Sequence, residues 1–263
     1  MPDFARPNAV SPRDEVLLRA DNVSRSFGGL KAVDRVSLAV RRGTVHAVIG
    51  TNGAGKSTLI NVLCGEIPAS EGSVELLGRD VSRWSQPRRA QAGLGRSYQR
   101  NTIYAQFTVF ENCRLSAQAR LQRPWDWLSS AARCDFSGTA ARRALEKAGL
   151  AAQADREAGA LSHGQKRQLE IAMCLATAPR VLVLDEPLAG MGAEESERML
   201  SLLEGLKSEH AILLVEHDMD AVFRVSDEIT VMVNGRVIAT GEPEAIRSNP
   251  EVQEAYLGDE AVH

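Results

Sequence analysis

Residues 50–57 read Gly-Thr-Asn-Gly-Ala-Gly-Lys-Ser and follow directly on the apolar run Val45-His46-Ala47-Val48-Ile49. Gly50, Gly53 and Gly55 let the backbone turn tightly and bring N–H groups onto phosphate oxygens. Lys56 adds a point charge within reach of terminal phosphates, and Ser57 offers a hydroxyl to a magnesium ion. Thr51, Asn52, Ala54 and Thr58 complete the phosphate-contacting stretch. A helix expected over residues 57–63 turns its positive end toward the same anion. Such a pattern arises by chance in about one in a hundred chains of this size. A strand before it and a helix after it make it a phosphate-binding loop, so the ligand class is a nucleotide.

A second acidic signal is Val181-Leu182-Val183-Leu184-Asp185-Glu186. Four apolar residues followed by two acids describe a buried strand that delivers carboxylates at its C-terminal end, where a parallel sheet gathers its ligands. Asp185 suits magnesium, and Glu186 can polarise an attacking water. A third segment, Leu161-Ser162-His163-Gly164-Gln165, opens a helix: Ser162 is a natural N-cap and Gly164 allows close backbone approach. Taken alone, this segment says only that the helix is capped.

The elements that must position these residues are legible as patterns. Strand-like runs fall at residues 36–40, 45–49, 73–77, 181–184, 211–215, 229–233 and 236–239. Asn234-Gly235 between the last two marks a hairpin turn. Met199, Leu200, Leu202, Leu203 and Leu206 recur at helical spacing within residues 194–208, giving a strand–helix–strand unit of parallel type. Residues 109–120, 139–149 and 165–178 read as helices. The expected fold is α/β: a parallel-sheet core, an antiparallel β region on its N-terminal side, and a helical lobe inserted at about residues 100–178. Residues 1–15, with Pro2, Pro7 and Pro12, form a polar lead-in, and residues 16–263 form one domain.

Bulk composition narrows the classes. The chain has 263 residues and a net charge of −3, which gives no electrostatic ground for nucleic-acid binding. Cys64, Cys113, Cys134 and Cys174 are scattered without a Cys-x-x-Cys pair, which favours free thiols over a metal site. No apolar run approaches a membrane span, and the N-terminus lacks the pattern of a signal peptide.

The ordered set GTNGAGKS, LSHGQ, VLVLDE and Glu216-His217-Asp218 resembles the ATP-binding cassette ATPases, the motors of ABC transporters, over nearly all of the chain after Val16. The resemblance implies ATP and Mg2+ as ligands. It assigns Gln99, in Ser97-Tyr98-Gln99, to magnesium and the attacking water, beside Ser57 and Asp185. Phe27 becomes the aromatic that stacks on adenine, and His217 the switch histidine at the γ-phosphate. Ser162, His163, Gly164 and Gln165 cap a nucleotide held by the phosphate loop of a second subunit, so the working unit is a homo- or heterodimer of ATPases. Permease subunits in the membrane would dock near Gln99 and the helical lobe, with an extracytoplasmic solute-binding protein beyond them. That places the chain peripherally on the cytoplasmic face of the inner membrane. Trp125, Trp127 and Phe136 in the lobe are either docking anchors or core.

Three departures stand out: Thr51 where Pro is commoner, His163 where Gly is commoner, and Pro187-Leu188-Ala189-Gly190-Met191-Gly192 in place of a run ending Ser-Ala-Leu-Asp. With Phe27-Gly28-Gly29-Leu30-Lys31-Ala32-Val33, Glu216-His217-Asp218-Met219 and the ending Ala255-Tyr256-Leu257-Gly258, they make the chain most similar to the ATPases of branched-chain amino-acid importers. Urea and amide importers share much of the pattern, and lipopolysaccharide exporters share it more distantly. A soluble ABC ATPase would usually carry two cassettes or a long coiled-coil insertion. A phosphate-loop kinase or GTPase is disfavoured by LSHGQ, by His217 and by the lack of a guanine-reading Asn-Lys-x-Asp.

Overall fold

The computed structural model describes residues 15–97, 103–121 and 135–260. Gln99, Trp125, Trp127 and Cys134 therefore lie outside the described residues. The strands in chain order are β1 (Val16–Phe27), β2 (Leu30–Arg41), β3 (Val45–Gly50), β4 (Glu71–Leu76), β5 (Arg79–Asp80), β6 (Leu94–Arg96), β7 (Val181–Asp185), β8 (Ala211–Val215), β9 (Glu228–Val233) and β10 (Arg236–Gly241). The helices are α1 (Lys56–Cys64), α2 (Gln86–Gln91), α3 (Val109–Leu121), α4 (Asp135–Lys147), α5 (His163–Ala176), α6 (Ala193–Lys207), α7 (Met219–Val225), α8 (Pro243–Arg247) and α9 (Pro250–Glu260).

Two sheets form. The larger has the order β10-β9-β3-β8-β7-β6. Its β9-β3, β3-β8, β8-β7 and β7-β6 pairings are parallel, and β10 closes it as an antiparallel hairpin partner of β9. The smaller has the order β2-β1-β4-β5 and is antiparallel throughout. The expected parallel core and N-terminal antiparallel region are both present. The strand–helix–strand unit is β7-α6-β8, in parallel register Val181 to Ala211 through Asp185 to Val215.

The central strands are buried along their whole length, which is why they read as unbroken apolar runs. Their residues alternate between two cores. Leu182, Leu184, Ile212 and Leu214 face one that also takes in Leu145, Leu169 and Leu203 from α4, α5 and α6. Val181, Val183, Leu213 and Val215 face another, shared with Leu59, Ile60 and Leu63 of α1 and Val36 and Leu38 of β2. The helices of the lobe thus share one hydrophobic core with the sheet.

The hairpin at 234–235 follows its turn chemistry: Asn234 has φ 48° and Gly235 φ 81°, both left-handed. Three strands are absent from the sequence reading: β1, the two-residue β5 and β6. β1 was not legible, because Arg19, Asp21 and Arg25 interrupt its apolar positions and its pairing slips around Asn22, at φ 47°. β6 has only three residues. Residues 36–40 and 45–49 are joined by a short connection, not a hairpin, since β2 and β3 enter different sheets. Phe136, a core or docking candidate, is 67% exposed, so it is not part of the core.

Candidate functional site

The parallel register puts the C-terminal ends of β3, β8, β7 and β9 on one edge, and the chemically active residues leave from those ends. The loop after β3 is shaped by two glycines that nothing larger can replace. A Cβ on Gly50 would lie 2.1 Å from the Met232 carbonyl oxygen, and one on Gly55, at φ 97°, 2.2 Å from that of Ala32. Gly55 is the N-cap of α1. The loop is anchored to the β9-β10 hairpin by the Gly235 N–H, which donates to the Ala54 carbonyl at 3.0 Å. The hairpin is tied in turn to β2: the Asp34 N–H donates to the Gly235 carbonyl at 2.8 Å, and the Asp34 carboxylate accepts from Arg236 Nη2 at 2.8 Å and Lys31 Nζ at 3.3 Å.

A cleft of about 340 Å³ opens over this loop, lined by residues 52–58 together with Leu30, Lys31, Ala32, Glu186, Asn234 and Gly235. Lys56 spans it, donating from Nζ to the Gly50 carbonyl at 2.6 Å and the Thr51 carbonyl at 3.0 Å. Burial lowers the Lys56 pKa, while the Glu186 and Asp185 carboxylates oppose the shift. Its ammonium is thus held in place by carbonyls that a phosphate group, a stronger acceptor, can replace.

Asp185 ends β7 and is buried. Burial raises its pKa, and the Arg96 guanidinium works against that, with Nη2 3.7 Å from Oδ2. Arg96 also pairs with Glu66, at 2.9 Å from Nη1 to Oε1. Glu186 follows at φ 50°, a left-handed conformation costly for a residue with a Cβ, and its N–H donates to the Val215 carbonyl at 2.9 Å. Backbone of this kind survives where the surroundings fix it, and here β8 does so by extending its register by one residue.

Sequence reading placed Glu216 in a motif but gave it no role. Its carboxylate is fully buried between two backbone donors: Oε1 accepts the Leu188 N–H at 2.7 Å and Oε2 the His217 N–H at 3.2 Å. Burial pushes its pKa up. One side chain therefore ties the segment that leaves Glu186 to the backbone of His217. The His217 ring itself is exposed, with Nδ1 3.7 Å from Glu216 Oε2.

The other sequence candidates fall elsewhere. Phe27 is half exposed with the Arg25 guanidinium 4.7 Å from its ring centre, and it is not among the residues lining the cleft. Ser162, His163, Gly164 and Gln165 do not line it either. They begin α5, where Ser162 and Gln165 form a reciprocal capping box: Ser162 Oγ accepts the Gln165 N–H at 3.2 Å, and Gln165 Oε1 accepts the Ser162 N–H at 3.1 Å. His163 Nε2 lies 3.1 Å from the Ala189 carbonyl oxygen.

The family signature described as "ABC transporter" matches residues 33–189, which hold the phosphate loop, LSHGQ and the acidic strand end. The chain belongs to the ABC transporter family. The cassette is therefore an ATPase that binds nucleotide. Residues 236–262 of the cassette also match the signature described as "Branched-chain amino acid ATP-binding cassette transporter". The cassette is 37% identical over 252 residues to the high-affinity branched-chain amino acid transport ATP-binding protein BraF of Pseudomonas aeruginosa, covering 92% of this chain and 98% of that one. It is 36% identical over 250 residues to the protein of the same description, LivG, from Escherichia coli K12, with the same coverage. Among solved structures, it aligns with an ATP-binding cassette of an ABC transporter in its ADP conformation at a TM-score of 0.83 and 34% identity, over 92% of this chain and 99% of that one. A nucleotide-free cassette aligns at 0.82 and 32%, over 92% and 98%.

Magnesium fits the donor set. The cation takes hard oxygen ligands and is ordinarily held by one or two protein oxygens plus substrate phosphates. Asp185 offers a buried carboxylate, and Ser57 an exposed hydroxyl at the start of α1. Among the described residues no group of three or more His, Cys, Asp or Glu side chains is placed to hold a metal ion.

Proposed function

We propose that this cassette hydrolyses MgATP to drive a high-affinity importer of branched-chain amino acids. The observation that carries the reading is the match to BraF and LivG over 92% of the chain, extending to the C-terminal segment at 236–262. Residues 50–58 hold the phosphates, with Lys56 exchanging its carbonyl partners for β- and γ-phosphate oxygens. Ser57, Asp185 and Gln99 would hold a magnesium ion, which would supply positive charge to the phosphate oxygens. Glu186 polarises the attacking water, His217 contacts the γ-phosphate, and Phe27 stacks on the adenine.

Ser162, His163, Gly164 and Gln165 lie away from their own cleft, which supports their serving a nucleotide on a facing cassette. Their helix N-terminus and hydroxyl then meet the γ-phosphate, and ATP joins two cassettes. The facing cassette is a second copy or a sibling ATPase. The pair sits on membrane-spanning permeases at the cytoplasmic face of the inner membrane, fed by an extracytoplasmic solute-binding protein, and residues 16–263 act as one domain with a helical lobe at about 100–178.

Purification of the complex from its native membrane, followed by reconstitution into vesicles, tests the reading. The expected result is ATP-dependent uptake of leucine, isoleucine or valine, abolished by Glu186→Gln. Uptake of urea, or outward movement of a lipid, would overturn the substrate assignment.

A further inference from the structure

Ser162 has a single hydroxyl proton, and the structure commits it. Oγ accepts the Gln165 N–H, so its own proton goes to Glu195 Oε1 at 3.0 Å. The same carboxylate oxygen accepts the Gly164 N–H at 3.3 Å. Glu195 belongs to the first turn of α6 and is three residues beyond the N-cap, Gly192. From that position a glutamate ordinarily folds back onto its own helix; here the carboxylate crosses to α5. Gly164 makes room for it, since a Cβ there would sit 2.6 Å from the Glu195 carboxyl carbon and 2.7 Å from Oε1. An anionic oxygen from this chain thus stands where the hydroxyl and a helix N–H converge.

We propose that Glu195 is a specificity-determining residue for closure of the ATP-joined pair: its carboxylate holds the γ-phosphate position of the LSHGQ helix until the terminal phosphate of a facing nucleotide displaces it. The inference rests on the dimer reading above and deepens it. Carboxylate and γ-phosphate compete for the same two donors, and like charges a few ångströms apart in a closing, water-poor interface repel. The γ-phosphate carries more charge and more acceptor oxygens, so it wins. ADP has no phosphate that reaches across, so the carboxylate stays. Glu195 therefore raises the ATP concentration needed for closure and restricts closure to nucleotides with a γ-phosphate.

The test uses the full chain carrying Glu186→Gln, so that bound ATP is retained, with and without Glu195→Ala or Glu195→Gln. Dimer formation is followed by sedimentation against MgATP and MgADP, with monomer nucleotide affinity and thermal stability measured alongside. Removing a charged competitor for two hydrogen bonds should lower the ATP concentration for half-dimerisation about tenfold in the alanine variant. The glutamine variant keeps an acceptor oxygen and loses the charge, so a shift of about threefold is expected. Monomer affinity should not move. An unchanged or higher ATP requirement in Glu195→Ala, or lower thermal stability with no change in ATP dependence, would overturn the proposal and leave Glu195 as a support for α5. A parent protein that never dimerises with ATP would instead overturn the dimer reading itself, and the proposal with it.

Discussion

Glu216→Gln isolates a group whose importance lies in its two backbone contacts. The side chain is nearly isosteric, so packing is retained. Glutamine has one acceptor oxygen where the carboxylate has two. It can accept the Leu188 N–H or the His217 N–H, but its amide then presents a donor to the other. Leaving one buried donor unpaired costs about 1–3 kcal/mol, offset in part because the neutral amide escapes the burial penalty that raises the Glu216 pKa. The net loss should lower the Tm by roughly 2–6 °C in a chain of this size.

The catalytic effect of Glu216→Gln should be larger than the thermal one, because both backbone segments carry residues proposed above to act on the nucleotide: Leu188 follows Glu186 by two residues, and His217 is adjacent. A displacement on the order of 1 Å at such a position costs up to about a hundredfold, so kcat should fall about 10–100-fold. Glu216 does not line the nucleotide cleft, so the KM for MgATP should stay within about twofold. Phosphate release against MgATP, with a thermal melt on the same sample, reads both. The pH dependence of stability supplies a further check. A native pKa raised above the ordinary 4.5 means that the folded chain holds this proton more tightly than the unfolded one. That contribution is fully present below pH 4.5 and is lost as pH rises through the native value. The gap between wild type and Glu216→Gln should therefore be widest in acid and narrow upward. A lowered Tm with unchanged kcat would refute the reasoning and reduce Glu216 to a packing group.

Three further outcomes follow from the same geometry. Glu186→Gln should bind MgATP as the wild type does while losing turnover by about a thousandfold, measured as phosphate release at saturating ATP, since the water loses its base. Gly55→Ala places a Cβ 2.2 Å from the Ala32 carbonyl and forces a β-carbon into φ 97°, so nucleotide binding should be lost and the melt lowered by several degrees. Arg96→Met removes the cation that offsets burial at Asp185, so the Asp185 pKa should rise further and the acid limb of the ATPase pH profile should move to higher pH.

The phosphate loop, the acidic strand end and the Asn234-Gly235 hairpin were legible because each is a local rule: glycine where the backbone needs it, apolar runs for buried strands, and a turn dipeptide between them. The role of Glu216 was not, because a glutamate just after an apolar run looks the same whether it enters water or turns inward to a donor 28 residues away. Glu195 was hidden in Glu194-Glu195-Ser196-Glu197, which reads as an acidic first turn of a helix, and only the folded chain shows one of these acids crossing to Ser162. Arg96 ends a three-residue strand too short to carry a pattern, and its partners Glu66 and Asp185 come from distant segments. Long-range charge placement depends on topology, which spacing along the chain does not encode.

The central claim is that each phosphate loop is completed by the LSHGQ helix of a facing cassette. The most direct measurement mixes two purified variants, Lys56→Ala and Ser162→Arg, each without ATPase activity alone. In a mixed pair, one nucleotide meets an intact loop from the Ser162→Arg chain and an intact helix N-terminus from the Lys56→Ala chain. Recovery to about a quarter of the wild-type rate in an equimolar mixture is expected for a two-fold pair with shared sites. No recovery, with both variants folded and Ser162→Arg still binding ATP, would contradict it.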